Sequence, residues 1–323
     1  MLTIGTIPRK LKGFFAPVRD QFTAPAFGHF WRLVLALTVC HGATVERLAA
    51  LLRGSTHRTK HGEFLWKSLW DESWVVQEIA LDTLKRLYRR DGGPCYFIID
   101  ETQVLKRAKK MAGVSKLYHH ATGKYGTGHT MLKVCLFYRG VTIPLGSWLW
   151  LTPEHAENED QRFCTLTELA ALAIRNTVLP ASLTVRVLFD AYYLCGVVAL
   201  VTDDLGATAR QVVGDYLKRW AIELLIKDEK QHLGLGDYRV LRYWAVERHL
   251  HLVDVAYACL THLALTEPGA QGQPKTKSML RLPSISQLKA RMRQVAWQEG
   301  IKDVILHAHE RPVIRRLERL LAA

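Results

Sequence analysis

The chain has 323 residues, 49% of them hydrophobic and 23% charged, and its 44 Lys+Arg against 30 Asp+Glu give a net charge of +14. That length supports a full core and two domains or more, and that composition excludes collagen-like, low-complexity and wholly disordered chains. The excess of positive charge points to a polyanionic partner, with nucleic acid ahead of an anionic membrane surface.

Residues 1–92 read as helical. Phe30–Val39 is a strong apolar run, and Leu33–Cys40 is too short to span a bilayer. Thr44 is placed as an N-cap and Gly54 as the residue past a helix end. A basic stretch follows over 53–61, then a helix over Ser73–Tyr88 with apolar spacing at Val75, Val76, Ile79, Leu84 and Leu87. This pattern fits a helix-turn-helix DNA-binding region and fits equally a small helical cap on the next domain. The breaker cluster Asp91-Gly92-Gly93-Pro94 marks a domain boundary.

After Pro94 the period changes. Tyr96-Phe97-Ile98-Ile99 is a short continuous apolar run, as in a strand buried on both faces, and it ends at Asp100. Residues 105–125 carry Lys106, Arg107, Lys109, Lys110, Lys116 and Lys124 among several glycines, the pattern of a basic loop. His129–Tyr138 and Val141–Leu151 form a β-hairpin around Arg139-Gly140, and 158–178 an amphipathic helix closed by Pro180. Thr184–Phe189 is a second strand, again ending in an aspartate, Asp190. The longest predicted helix is 208–233, opened by a Thr208/Gln211 capping box and closed by Gly234. Asp203 and Asp204 precede it and are expected to help its N-terminus. A largely apolar helix follows over 245–265. Residues 267–283 form a linker, and the segment from 271 to 323 has eleven Lys+Arg against four Asp+Glu, ending in a basic helix over 313–321.

The six cysteines, 40, 95, 135, 164, 195 and 259, contain no CxxC pair. With no long apolar h-region at the start of the chain, reduced thiols in a cytoplasmic protein are expected. His119, His120 and His129 lack zinc-ligand spacing and read as DNA-facing or structural.

Two aspartates at the ends of buried strands, in a basic protein, suggest a divalent-metal site, since Mg²⁺ takes hard oxygen ligands. A two-metal site calls for a third carboxylate. Tyr216, Arg219, Glu223 and Lys230 have the spacing Y-x2-R-x3-E-x6-K. At about 100° per residue they fall near 0°, −60°, −20° and −40°, on one narrow face. Leu217, Trp220 and Leu224 form the adjacent stripe, expected to pack the helix onto the sheet. Glu101 would point to the opposite face from Asp100.

With these residues the sequence resembles the DDE-type insertion-sequence transposases that carry the YREK signature. Ile98-Ile-Asp-Glu-Thr followed by Lys106 looks like the family's first-aspartate strand, Leu188-Phe-Asp-Ala-Tyr-Tyr like its second, and Tyr216–Glu223 with Lys230 like its third element. The resemblance implies an α/β, RNase H-like mixed sheet flanked by helices over 93–265. The N-terminal helical region 1–92 would bind DNA, and 266–323 would be a linker and basic helical tail. It implies Asp100, Asp190 and Glu223 as catalytic, metal-binding residues for two Mg²⁺ ions, with Mn²⁺ as the alternative. Tyr216, Arg219, Lys230, Lys106, Arg107, Lys109 and Lys110 would contact DNA. The activity implied is cleavage at transposon ends and strand transfer into target DNA, by a nucleoid-associated protein acting as a homodimer on DNA, with no membrane partner. The stretch between Asp190 and Glu223 is shorter than in members with this signature. The alternative is therefore a shortened, weakly active or inactive remnant that only binds DNA.

Overall fold

The computed structural model describes residues 4–40, 42–52, 57–108, 110–119, 122–190, 202–266 and 279–306. Five short to medium helices come first: α1 (Lys12–Phe15), α2 (Ala24–Val39), α3 (Val45–Ala50), α4 (Arg58–Lys67) and α5 (Glu72–Leu87). Thr44 caps α3 by accepting the Arg47 N–H, as its position before an apolar run predicts, and Asp71 does the same for α5 through Trp74 N–H. Gly54 lies outside the described residues.

The sheet comes next: β1 (Cys95–Leu105), β2 (Ser115–His119), β3 (Lys124–Tyr138), β4 (Val141–Trp150) and, after α6 (Pro153–Asn158) and α7 (Leu166–Asn176), β5 (Val185–Leu188). β1 is flanked by antiparallel β3 and parallel β5, while β2 and β4 both pair with β3, over its first residues and over 130–138 respectively. The β3–β4 hairpin turns at Arg139-Gly140, both with positive φ (52° and 85°), as two-residue hairpin turns require. Three expectations change here. β1 runs on through Asp100 to Leu105, so Asp100 sits inside a strand rather than at its end. The basic segment 105–125 contains strand β2, paired with β3 over Lys124–Gly128: Gly113 and Gly123 take positive φ at the bends, and Gly126 and Gly128 are accommodated in the ladder opposite Leu117 and Ser115. The helix expected over 158–178 is confined to α7, opened by a Thr165/Glu168 capping box, and the short α6 ends at Asn158, where the sequence pattern places the start of that helix.

Alternation in β1 separates two cores. Tyr96, Ile98 and Val104 face one cluster with Met131 and Cys135, and Cys95, Phe97 and Ile99 face another with Leu132, Val134 and Leu136. The second is covered by the C-terminal half of α5 and by α7. The first is covered by the N-terminal helices and by three C-terminal elements, α9 (Trp220–Asp228), α10 (Tyr243–Thr266) and α11 (Ile285–Leu306), while α8 (Ala209–Tyr216) has no buried residue. Every residue of α10 from Ala245 to Ala264 is buried, the mark of a helix that is apolar nearly all round. Among the described residues it, and not 208–233, is the longest helix. Residues 209–233 run as α8, a 3₁₀ turn at Leu217–Arg219, α9, and a π turn at Glu229–Leu233 that ends at Gly234 in the left-handed conformation (φ 73°). The α/β expectation holds: a mixed sheet flanked by helices, consistent with an RNase H-like fold.

The C-terminal segment departs from a simple basic tail. Ser284 and Gln287 cap α11, whose Ile285, Leu288, Met292 and Ala296 enter the core. Lys289 and Arg293 turn inward and donate to carbonyls at the end of α2, Lys289 to Leu37 and the capping Cys40, Arg293 to Val39. The predicted helix over 313–321 lies outside the described residues.

Candidate active site

Asp100 and Lys133 are direct partners across β1 and β3, so both side chains project from the sheet face covered by α9. β5 ends beside them and delivers Asp190. The helical segment is fixed over this face by two anchors. At its start, Asp215 accepts Tyr96 Oη–H (2.5 Å) and pairs with Arg186 of β5. Further on, Ala221, Ile222, Leu225 and Ile226 are buried against β1 and β3. The buried stripe is therefore not the expected one: Leu217, Trp220 and Leu224 are 66%, 59% and 47% exposed. The segment has apolar residues on both sides of its polar face, and the sheet takes the side carrying the β-branched Ile222 and Ile226.

With that rotation, Arg219 points into the space between the middle of β1, at Asp100, and the end of β5. Its Nη1 lies 3.2 Å from Asp100 Oδ2 and 3.8 Å from Asp190 Oδ2, and its Nη2 donates to Glu223 Oε1 at 2.6 Å. Three carboxylates that are far apart in sequence thus meet on one guanidinium. Burial works against the charge of Arg219, but Asp100, Asp190 and Glu223 outweigh it and hold its pKa above the ordinary value. Asp100 is pushed up to about 6, chiefly by burial and further by Asp190 and Glu223, against the Glu101 N–H and Arg219. Such a cluster is rich in hard anionic oxygens and short of positive charge, which suits a divalent cation. In this arrangement Arg219 supplies the positive charge, and among the described residues no three ligating side chains are close enough together to hold one ion.

The cationic residues divide. Tyr216 is half-buried, with the Arg219 guanidinium 5.7 Å from its ring centroid. Lys230, in the π turn, donates to the Gln103 carbonyl of β1 (2.8 Å). Lys106 is turned inward: its Nζ donates to the Gly236 and Tyr238 carbonyls and sits 3.2 Å over the Tyr238 ring, and burial lowers its pKa to about 8. Arg107 and Lys110 are exposed, and Lys109 lies outside the described residues, as does His120. His129 is structural, buried between Tyr238 Oη and the Ala112 carbonyl. Asp204 accepts from Gly206 N–H and from Arg186 in the turn ahead of α8, whose capping residue is Thr208.

Sequence reading misses a second cluster on the same face. Lys133, fully buried, has Asp254 Oδ1 at 2.5 Å, Glu229 Oε2 at 2.6 Å and Ser147 Oγ at 2.7 Å. Its signal is a lone lysine within the apolar run Met131–Phe137 and a lone aspartate within the apolar helix 245–265.

The model of the DDE superfamily endonucleases matches residues 29–209. The chain belongs to this family. The match covers the strands bearing Asp100 and Asp190 and stops ahead of the segment bearing Tyr216, Arg219, Glu223 and Lys230. Membership makes the protein a nuclease by family, with DNA as the implied substrate and a divalent metal as the typical cofactor of its superfamily. No curated protein matches the chain. Among the described residues no helix is long and apolar enough to cross a membrane.

Proposed function

We propose that this DDE endonuclease is a transposase of the YREK-bearing type, cleaving DNA at transposon ends and joining them to target DNA with Mg²⁺. The observation that carries this reading is the meeting of Asp100, Asp190 and Glu223 on Arg219. These carboxylates are the residues that would hold the metal, once they close on the space that Arg219 fills here. When bound, divalent ions activate the attacking oxygen and stabilise the charge that builds on the phosphate. The chain's own contribution is placement. The strand pairing of β1 and β5 fixes the two aspartates, and the buried stripe of α9 fixes Glu223 opposite them. Arg219 has a planar fork suited equally to carboxylate and phosphate, so a DNA phosphate entering the site gives it a second partner. Lys230, held at the rim by the Gln103 carbonyl, adds a point charge beside the same path.

The test is cleavage of linear DNA carrying the element's ends by Asp100→Asn, Asp190→Asn and Glu223→Gln. Each should lose cleavage by about a thousandfold or more while DNA binding stays near wild type. Nicking with Mg²⁺ that survives any of these changes would sink the assignment. A second reading, a remnant that binds DNA without cutting it, draws support from Arg219 occupying the space among the carboxylates. Tight DNA binding with no cleavage in Mg²⁺ or Mn²⁺ would favour it. The shortened stretch that first suggests that reading, 191–207, falls largely outside the described residues.

A further inference from the structure

From Leu105 to Thr130 the chain carries six Lys+Arg and no carboxylate. Part of this segment is the two-stranded ribbon β2–β3, whose pairing sets Lys116 opposite Thr127 and Tyr118 opposite Tyr125. Tyr125 is 72% exposed and Tyr118 43%, with ring centroids 5.3 Å apart. Lys116 Nζ lies 5.1 Å from the Tyr125 ring centroid, and Lys124 is exposed next to it. Large exposed aromatics braced by lysines, on a ribbon without acidic residues, suit an anionic surface that also offers flat or grooved contact.

The strand register places this surface relative to the carboxylates. Asp100 pairs with Lys133, and alternation along β3 carries the same sheet face through Met131, His129 and Thr127 to Tyr125. Eight residues at about 3.4 Å each put Tyr125 about 27 Å from the Asp100 register, which matches the rise of about eight base pairs of duplex. A two-stranded ribbon also fits the major groove in width.

We propose that the β2–β3 ribbon is a second duplex-DNA contact, engaging the groove about eight base pairs from the carboxylates. Tyr118, Tyr125 and Lys116 share one face and lie against the DNA, Lys116 at a phosphate, and Lys124, which alternates to the other face at the tip of the ribbon, reaches a backbone phosphate of the groove wall. This rests on the reading of the protein as a DNA-cleaving enzyme and adds a fixed spacing to it. The ribbon acts as a ruler: a duplex that reaches both places is held at two points, and a shorter one at a single point.

The experiment is equilibrium binding of the full chain to duplexes of arbitrary sequence, about 6 to about 20 base pairs long, over a range of salt. Wild type should gain affinity steeply once the duplex exceeds about eight base pairs. Lys116→Ala/Lys124→Ala should lower the salt slope by about 1.8, or about 0.9 per lost phosphate contact. Tyr118→Ala/Tyr125→Ala should weaken binding of the long duplex about tenfold at unchanged slope. Both double variants should lose the length-dependent gain. All four side chains are exposed, so thermal melting near wild type should confirm that the variants fold. Wild-type affinity, slope and length dependence in both double variants would overturn the ribbon. If Arg219→Ala/Lys230→Ala still weakened binding in that case, the DNA reading would stand without it. Absence of duplex binding by the wild-type chain would remove both.

Discussion

Two cation–carboxylate clusters grow from one pair of strand neighbours, and they differ in their surroundings. Asp100 belongs to the cluster on Arg219, where Glu223 and Asp190 keep 32% and 44% of their side-chain surface in solvent. Lys133, directly opposite, belongs to the cluster with Glu229, Asp254 and Ser147, whose Lys133–Glu229 pair is sealed from solvent. The first joins groups on β1, β5 and the segment bearing Glu223, and its cation can be exchanged. The second ties β3, β4, the π turn and α10 together, and its cation cannot leave without exposing two carboxylates to the core. A half-open cluster is suited to binding and a sealed one to holding elements in place. The π turn connects the two, since Glu229 enters the sealed cluster at the point where the segment reaches Lys230.

The largest effect expected from this difference is on stability. Lys133→Met leaves Glu229 and Asp254 buried without their cation and should cost about 3–5 kcal/mol in urea unfolding. Replacing Lys133, Glu229 and Asp254 together by Met, Met and Leu should recover most of that loss, because an apolar cluster of like volume needs no compensation. A Lys133→Met cost below about 1 kcal/mol would show that water reaches the cluster, and the contrast with Arg219 would collapse.

A pH effect comes next. Two turns before Asp254 on α10, Glu247 has no such cation and accepts the Leu149 N–H at 2.6 Å. Burial, first, and the nearby Glu72 push its pKa up to about 8. A carboxyl whose folded pKa lies above its unfolded one favours the native state when protonated. Stability therefore falls as pH rises from about 5 through about 8. Glu247→Gln keeps an acceptor for Leu149 and should flatten that fall, melting near wild type at pH 5 and several degrees higher at pH 8. Parallel curves for the two proteins would mean that Glu247 is solvated.

For the open cluster the expected effect is smaller and concerns binding. Arg219→Gln should cost less than Lys133→Met, about 1–2 kcal/mol, because Asp190 and Glu223 stay partly solvated although Arg219 and Asp100 are 14% and 15% exposed. It should raise the affinity of the DNA-free protein for Mn²⁺, followed by electron paramagnetic resonance, about tenfold, since the competing cation is gone. Unchanged or weaker Mn²⁺ binding would show that Arg219 does not compete for these oxygens.

Much of this organisation is legible in the sequence, for identifiable reasons. β1 and β5 announce themselves as apolar runs closed by aspartate, and the Thr208/Gln211 box and Gly234 bracket the segment bearing Glu223 because capping chemistry is local. Periodicity puts Tyr216, Arg219, Glu223 and Lys230 on one face, and the 3₁₀ and π turns are too short to scatter them. The sealed cluster is not legible, because its members come from distant stretches and each reads alone as a stray charge. Lys106, Lys289 and Arg293 sit in basic stretches that suggest DNA contact, yet all three turn inward. A sequence does not show which carbonyls lie within reach of a long side chain. Nor does it show that Ser284 opens a helix belonging to the core.

The smallest effect tests the orientation of the Glu223 helix itself. Trp220 and Leu224 lie on one flank of its polar face, while Ile222, Ile226 and Leu225 lie on the other. Both flanks are apolar and both border the polar face, so composition alone leaves the choice of buried side open. The structure buries the second flank. Trp220→Gln with Leu224→Gln should therefore cost no more than about 0.5 kcal/mol, the scale of surface changes. Ile222→Ala should cost about 2–4 kcal/mol, the scale of a lost buried methyl cluster with its cavity. A reversal of these two values would mean that the helix sits with the first flank inward. That rotation would swing Glu223 away from Asp100 and take Arg219 out of the space between Asp100 and Asp190. A pair of unfolding curves on uncut, DNA-free protein thus tests the geometry on which the proposed chemistry depends.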